Sequence, residues 1–359
     1  MIELRSDTCT LPTRAMRRAM VTAPLGDDGY GEDPTVGRLE RLAADRLGKE
    51  AACLLPSGTM ANLTALLAHC PRGSTAVVGT ESDIYLYEAA GASVVGAIGY
   101  LPVPNQPDGT LALPDLAAAF PEDPDDPQFA LPAVVCLESP QNRCGGIPLP
   151  LGYLREVADL AHARGVALHL DGARVFNAAV ALGVPAERVA EAADSVQFCL
   201  SKGLSAPIGS VVAGTAELVG RVRRVRKMLG GGMRQAGVVA AAGIVALEQM
   251  VDRLADDHAN ARRLAQGLAR LPGISLDPPE VPTNIVLFRV EESRWDWPDL
   301  VAALGRAGVA VAGFGHGRIR AVTHSGVSRS DVDRAVEIVG EVLRAGRVPL
   351  VASAAGQRR

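Results

Sequence analysis

Several things are scarce in this 359-residue chain. It has no run of about 18 apolar residues that could cross a bilayer as a helix. No charged-then-apolar leader follows Met1, so a soluble, cytoplasmic protein is expected. Its six cysteines, Cys9, Cys53, Cys70, Cys136, Cys144 and Cys199, form no CxxC pair. A chain this long builds a core without covalent staples, so no disulfide framework is expected. The six histidines show neither HExxH nor another paired metal spacing, which leaves a metal site without support. An excess of one charge is also missing. Lys plus Arg is 36 and Asp plus Glu is 40, a net charge of −4. Such a chain is poorly suited to non-specific binding of nucleic acid or a membrane, so neither is expected as a partner. Lysine itself is scarce: three residues, Lys49, Lys202 and Lys227, stand against thirty-three arginines. Chemistry that needs an amine therefore has three candidates.

What is present is globular. The chain is 48% apolar and 21% charged, which excludes disorder, collagen and a coiled-coil rod. Its length fits one large or two modest domains. The first thirty residues (RSDTCTLPT, then GDDGYGEDPT) read as an ordered N-terminal arm, 1–30. Helical spacing over 34–47 opens with Pro and is followed by Gly48. Short apolar runs then recur at 51–55, 75–78, 133–137, 166–170, 195–200 and 210–214. Amphipathic stretches of helix length lie between several of them, as at 61–69 and 151–164. This alternation predicts an α/β domain with a large, mostly parallel sheet over 31–250. A long helical pattern at 237–271 leads into runs at 283–290, 308–311 and 318–322, with helical stretches at 297–305 and 329–344. These predict a smaller C-terminal α+β domain over 251–347, then a frayed tail at 348–359. The PEDPDDPQ stretch (121–128) reads as a surface loop.

Three places carry candidate chemistry. Lys202 follows an apolar run and precedes a Gly, Ser and Pro turn. A lysine just off a buried strand can be desolvated into a nucleophilic amine, or can simply cap the strand from the surface. Asp171 ends the run GVALHLD at the C-terminal edge of the expected sheet, where open α/β sheets bind ligands, and Arg174 follows. A helix N-cap with a first-turn Arg explains that pair as well. Ser57, Gly58 and Thr59 follow the run ending at Leu55 and Pro56, a strand–turn–helix start that offers N–H groups to a phosphate or serves as an ordinary cap. Together they fit a pyridoxal phosphate site. That cofactor needs an anion cradle, a carboxylate to keep its ring nitrogen protonated and an amine to hold its aldehyde.

At this point the wording of the sequence becomes informative. LRSDT (4–8), GDDGYGEDPT (26–35), PSGTMANL (56–63), HLDGARVFNAA (169–179), FCLSKGL (198–204), APIGS (206–210), RKMLGGGMRQAG (226–237) and IRAVTH (319–324) span nearly the whole chain. They resemble the low-specificity L-threonine aldolase group of the β-eliminating lyase family, fold type I pyridoxal 5'-phosphate enzymes. The resemblance implies that Lys202 holds the cofactor aldehyde, Asp171 meets the pyridine nitrogen, and Ser57, Gly58 and Thr59 hold the phosphate. It implies that Arg174 lies near the cofactor hydroxyl and the substrate carboxylate. Arg320 would clamp that carboxylate with help from Ser6, a task suited to the guanidinium fork. Tyr30 and Arg234 would approach the site of a neighbouring subunit, which implies a homodimer or homotetramer. The implied reaction is cleavage or formation of a β-hydroxy-α-amino acid, with glycine and an aldehyde as the other side.

Two departures bear on that reaction. Family members commonly carry a histidine where ESDIYLYE has Asp83, and another where ESPQNRCGG has Gln141. Breaking the Cα–Cβ bond needs a base for the β-hydroxyl proton. Gln141 can orient a hydroxyl but cannot take its proton, whereas Asp83 can act as a base if correctly placed, and Tyr87 could cover the ring. A changed reaction is the alternative: a β-eliminating lyase, a transaldolase, a β-replacement enzyme, or an inactive cofactor-binding partner subunit. His169 and His324 lie near motif ends. His169 is expected to pack behind the site or against the ring, and His324 is the better candidate for reaching substrate.

Overall fold

The computed structural model describes residues 1–291 and 295–346. Seven strands form the large sheet, in the order Ala51–Leu55, Ser210–Gly214, Ser195–Cys199, Ala167–Asp171, Pro132–Glu138, Thr75–Gly79 and Gly99–Val103. Ser210–Gly214 runs antiparallel to both of its neighbours, and the remaining pairings are parallel. The six parallel strands therefore end on one edge. Leu55, Cys199, Asp171, Glu138 and Gly79 are the last residues of five of them. The central strands are buried on both faces, as Val and Leu runs without alternation require.

The expected α/β class is observed, with six of the seven strands legible as apolar runs. The edge strand Gly99–Val103 was not expected. It contains Pro102 and is largely exposed, which is tolerated only at an edge. A second sheet of four antiparallel strands, Ala312–Gly313, Ile319–Val322, Ile285–Val290 and Ile274–Leu276, lies C-terminal to it in sequence. The helices Leu254–Leu268, Trp297–Ala307 and Arg329–Ala345 supply apolar side chains to the core around this sheet. The stretch 237–271 is two helices, Gly237–Gln249 and Leu254–Leu268. The first is apolar on nearly all sides and buried, whereas the second is amphipathic, so the periodicity shifts at Met250. The expected tail at 348–359 lies outside the described residues.

The N-terminal segment is more than a turn-rich arm. Ile2–Glu3 pairs in parallel with Val309–Ala310, and Arg14–Thr22 is a helix packed on Gly237–Gln249. Its composition hid it. Three of its nine residues are Arg, and only Met16 is fully buried.

One ion pair ties the N-terminal segment into the interior. Arg174 donates to both carboxylate oxygens of Asp7, at 2.8 and 2.7 Å, and Asn284 Nδ2 adds a third bond at 3.2 Å. All three residues are buried. Burial by itself would raise the Asp7 carboxyl, but the Arg174 guanidinium outweighs it and holds the group well below the usual carboxylate range. The folded-state value therefore lies under the unfolded value of about 4. The stabilisation is complete above that pH and is lost as the pH falls through the folded-state value. Asp7→Asn would leave Arg174 without its counter-charge and is expected to cost about 3 kcal/mol in denaturant unfolding at neutral pH. The difference from the wild type should shrink below about pH 4, and a cost under about 1 kcal/mol at neutral pH would contradict this role.

Candidate active site

The strand ends converge on a cleft of about 360 Å3. It is lined by residues from across the chain, among them Ser57, Gly58, Thr59, Asp83, Asp171 and Lys202. Each is placed by an element end. Ser57 caps the helix Gly58–His69 through its Oγ, which accepts from Met60 N at 3.2 Å. The first N–H groups of a helix have no partner within it and can hold an anion, and Gly58 and Thr59 of this first turn line the cleft. A Cβ at Gly58 would lie 2.9 Å from Cys199 Sγ, so a larger residue there would displace that side chain. Lys202 sits in the turn after Ser195–Cys199, and its carbonyl is held by Thr10 Oγ1 at 2.9 Å. No hydrogen bond or ion pair to its ammonium is found among the described residues.

Asp171 is 2% exposed. Its carboxylate accepts from Ala173 N at 3.0 Å, from Asn62 Nδ2 at 2.8 Å and from Gln197 Nε2. Burial and then Asp83 push its carboxyl upward, while Lys202, Gln197 and Asn62 pull it down. Two further buried carboxyls lie beside it. Glu138 is opposite Asp171 on the adjacent strand, and Glu88 shares the Asn62 amide at 2.9 Å. Burial raises both well above the ordinary glutamate value, with repulsion from Asp171 and Asp83 adding to it.

Asp83 opens the short helix Asp83–Leu86. Glu138 Oε2 accepts its backbone N–H at 2.9 Å, and Asn142 Nδ2 donates to its Oδ1 at 3.2 Å. Asn142 Oδ1 in turn accepts from Arg320 Nη1 at 3.1 Å. Asn142 therefore joins the Asp83 carboxylate to the Arg320 guanidinium. Arg320 stacks on Phe314, 4.2 Å from the ring centroid, and its buried Nε has no hydrogen-bond partner among the described residues. Burial, and then the nearby Arg174, push this guanidinium down to about 10. An anion seated beside it would relieve both effects.

Gln141 is set back from the cleft. It is 1% exposed, and its carboxamide donates to the Glu81 carbonyl at 2.8 Å and accepts from Cys144 N at 2.8 Å. Ser6 caps the turn Asp7–Cys9 by accepting from Thr8 N at 3.2 Å. Tyr30 and Arg234 lie in a separate pocket of about 580 Å3 with Arg223, Arg226 and Lys227. Tyr30 is 78% exposed there. His324 does not reach the cleft. Its Nε2 bonds the Glu3 carbonyl at 2.9 Å and its Nδ1 accepts from Gly326 N at 3.1 Å, so both ring nitrogens are engaged.

Sequence reasoning did not single out Asn62, Glu88, Glu138, Asn142 or Arg143. Arg143 donates to Tyr87 Oη and to Glu81, which fixes Tyr87 at the rim of the cleft. Glu138 had a signal, because it closes an apolar run as Asp171 does. Asn142 and Arg143 are read only from the folded turn.

The family model Beta-eliminating lyase matches residues 3–291. The low specificity L-threonine aldolase of Escherichia coli is 46% identical over 92% of this chain and 96% of its own. The probable low-specificity L-threonine aldolase 2 of Arabidopsis thaliana is 45% identical over 92% of this chain and 94% of its own. Among solved structures, the threonine aldolase of Leishmania major shares the fold, with a TM-score of 0.80 at 19% identity, covering 96% of this chain and 100% of that one. Described as "SPT with PLP internal aldimine", another solved structure gives 0.75 at 18% identity, over 96% of this chain and 87% of its own. The chain belongs to the β-eliminating lyase family.

Proposed function

We propose that this protein is a pyridoxal 5'-phosphate-dependent aldolase that cleaves, or forms, the Cα–Cβ bond of a β-hydroxy-α-amino acid. Glycine and an aldehyde are the other side of the reaction. The carrying observation is that one cleft contains a helix start, a buried carboxylate and a lysine whose ammonium has no hydrogen-bond or ion-pair partner among the described residues. Relatives named as threonine aldolases, 46% and 45% identical over most of the chain, support the reaction type.

The residues present fit the cofactor. Ser57, Gly58 and Thr59 would hold its phosphate, Lys202 its aldehyde carbon, and Asp171 its ring nitrogen. When bound, the cofactor supplies an aldehyde for the substrate amine and a protonated ring that takes up the electrons left at Cα. The chain's own residues do the rest. Arg320, with its unpartnered Nε, binds the substrate carboxylate, and Ser6 and Arg174 stand near it. Asp83 takes the β-hydroxyl proton as the Cα–Cβ bond breaks, and Asn142 keeps that carboxylate turned toward the cleft. Tyr87, which lines the same cleft, would cover the ring face. Gln141 shapes the turn that carries Asn142 and Arg143. Tyr30 and Arg234 would complete the cleft of a second copy in a homodimer or homotetramer, which accounts for the exposed tyrosine.

One observation favours a second reading. No histidine lines the cleft, and a carboxylate stands where an imidazole is usual for the family. A carboxylate base can also serve β-elimination, β-replacement or aldehyde exchange. Products separate these readings. Glycine and aldehyde in equal amounts from threonine, allo-threonine or phenylserine support the aldolase. Pyruvate and ammonia from a serine or cysteine derivative, without glycine, would overturn it.

In this assay Asp83→Asn should lower kcat by about 10²- to 10⁴-fold, the usual loss when a general base is removed. Unchanged turnover would move the base elsewhere. Arg320→Lys should raise KM by about ten- to a hundredfold, because the fork to the carboxylate is lost. Gly58→Ala should weaken cofactor binding in equilibrium dialysis, since the new methyl meets Cys199 Sγ. Wild-type cofactor affinity in that variant would place the phosphate elsewhere.

A further inference from the structure

Behind the cleft runs a continuous chain of polar groups, buried except at its half-buried first member, His69. His69 Nε2 and His169 Nδ1 each lie 2.8 Å from Ser195 Oγ. His169 Nε2 is 3.1 Å from Asn62 Oδ1. Asn62 Nδ2 donates to Asp171 Oδ2 at 2.8 Å and to Glu88 Oε1 at 2.9 Å. His169 and Ser195 are fully buried, and Asn62 is 2% exposed. None of the proposed catalytic steps uses His69, Ser195 or His169.

The proton positions along this chain follow from counting donors. The two carboxyls claim both N–H groups of Asn62, so its Oδ1 can only accept. His169 must then carry its proton on Nε2. Burial pushes this imidazole down to about 3, so it is neutral and its Nδ1 is a bare acceptor. Ser195 must give its single proton to that nitrogen, and its oxygen must accept from His69 Nε2–H. Burial pushes His69 down to about 4, so it too is neutral at pH 7. Every donor therefore points the same way, from His69 toward Asp171. In a low-dielectric interior such aligned bonds polarise one another, and the last donor in the row is strengthened.

We propose that Asn62 and His169 are positioning residues for Asp171, the last two links of a one-way hydrogen-bond chain that keeps this carboxylate ionised and fixed in the cleft. The proposal rests on the reading that Asp171 meets the cofactor's ring nitrogen. Its purpose follows from the surroundings. The charged groups facing Asp171 are Asp83 and Lys202, with Glu88 and Glu138 beside it. Three of those four are acids, and burial opposes the charge as well. Without strong donors the carboxylate would take up a proton and could no longer hold one on the ring nitrogen. Gln197 is backed by a longer contact, with the Cys199 thiol 3.9 Å from its Oε1 and Ser210 Oγ donating to that sulfur at 3.3 Å, and the Ala173 N–H comes from the adjacent turn. Asn62 is the donor backed by an imidazole and a hydroxyl at ordinary hydrogen-bond distances.

Nitrogen-15 spectra of the cofactor-loaded wild type test the chain without any variant. His169 is expected to stay neutral with its proton on Nε2 between about pH 5 and 8. A proton on Nδ1, or a charged ring in that range, would overturn the proposal. Variants test its consequence through the pH titration of the bound cofactor's absorbance and through cofactor affinity. Asn62→Leu should move the titration, weaken cofactor binding and lower kcat by about ten- to a hundredfold, with substrate KM nearly unchanged. Ser195→Ala removes one hydroxyl that touches neither cofactor nor substrate. It should move the titration in the same direction by less, and it keeps the test open if Asn62→Leu does not fold. Asp171→Asn separates the two layers of the argument. If it alters absorbance and affinity while the other two variants match the wild type, the relay is wrong and the role of Asp171 stands. If Asp171→Asn itself leaves both readouts unchanged, the role of Asp171 fails, and the relay fails with it.

Discussion

A carboxylate placed at the end of a buried parallel strand is opposed by its surroundings, and much of this site is arranged around that fact. Asp171 has lost nearly all contact with water and has acids on two sides. Three donors hold it, and each comes from a different element: the turn after its own strand, the adjacent strand Ser195–Cys199, and the helix Gly58–His69. The sheet order makes this possible. Ala167–Asp171 lies between Ser195–Cys199 and Pro132–Glu138, so side chains from both neighbours reach the same edge.

The charge distribution of the cleft follows from the same edge. Asp83, Glu88, Glu138 and Asp171 gather near one cation, Lys202. Further out the sign reverses. Arg174 is committed to Asp7, whereas Arg320 keeps a buried nitrogen unpartnered. An amino acid whose amine faces the acids, and whose carboxylate faces Arg320, would have complementary partners at both ends. Asn142 bridges the two regions with one amide, accepting from Arg320 and donating to Asp83. The Arg320 guanidinium and the Asp83 carboxylate are thereby linked through one side chain.

Much of this was legible in the sequence, and the reasons are physical. Six buried strands are apolar runs that need no partner to be recognised. Lys202, Asp171 and Ser57-Gly58-Thr59 each follow such a run, and the parallel topology brings run ends together. The edge strand Gly99–Val103 was hidden because an exposed strand with Gly and Pro lacks that signature. The helix Arg14–Thr22 was hidden because its polar face dominates its composition. The site residues that escaped were those whose role depends on a partner distant in the chain. Asn62 meets Asp171 across 109 positions, and Arg320 meets Asn142 across 178. His324 was overrated for the same reason, since its engagement with the Glu3 carbonyl depends on the return of the N-terminal strand.

The scarcity of lysine makes the central claim unusually direct to test. Lys49 is bonded to the Ala193 carbonyl at 2.6 Å, and Lys227 lies on the helix Ala216–Met228, away from the cleft. Borohydride reduction of the pyridoxal phosphate-loaded protein, followed by proteolysis and mass spectrometry, fixes the cofactor to whichever amine holds it. The account predicts a single modified peptide, the one that contains Lys202. Label on Lys49 or Lys227 in its place, or no label on any lysine, would contradict it.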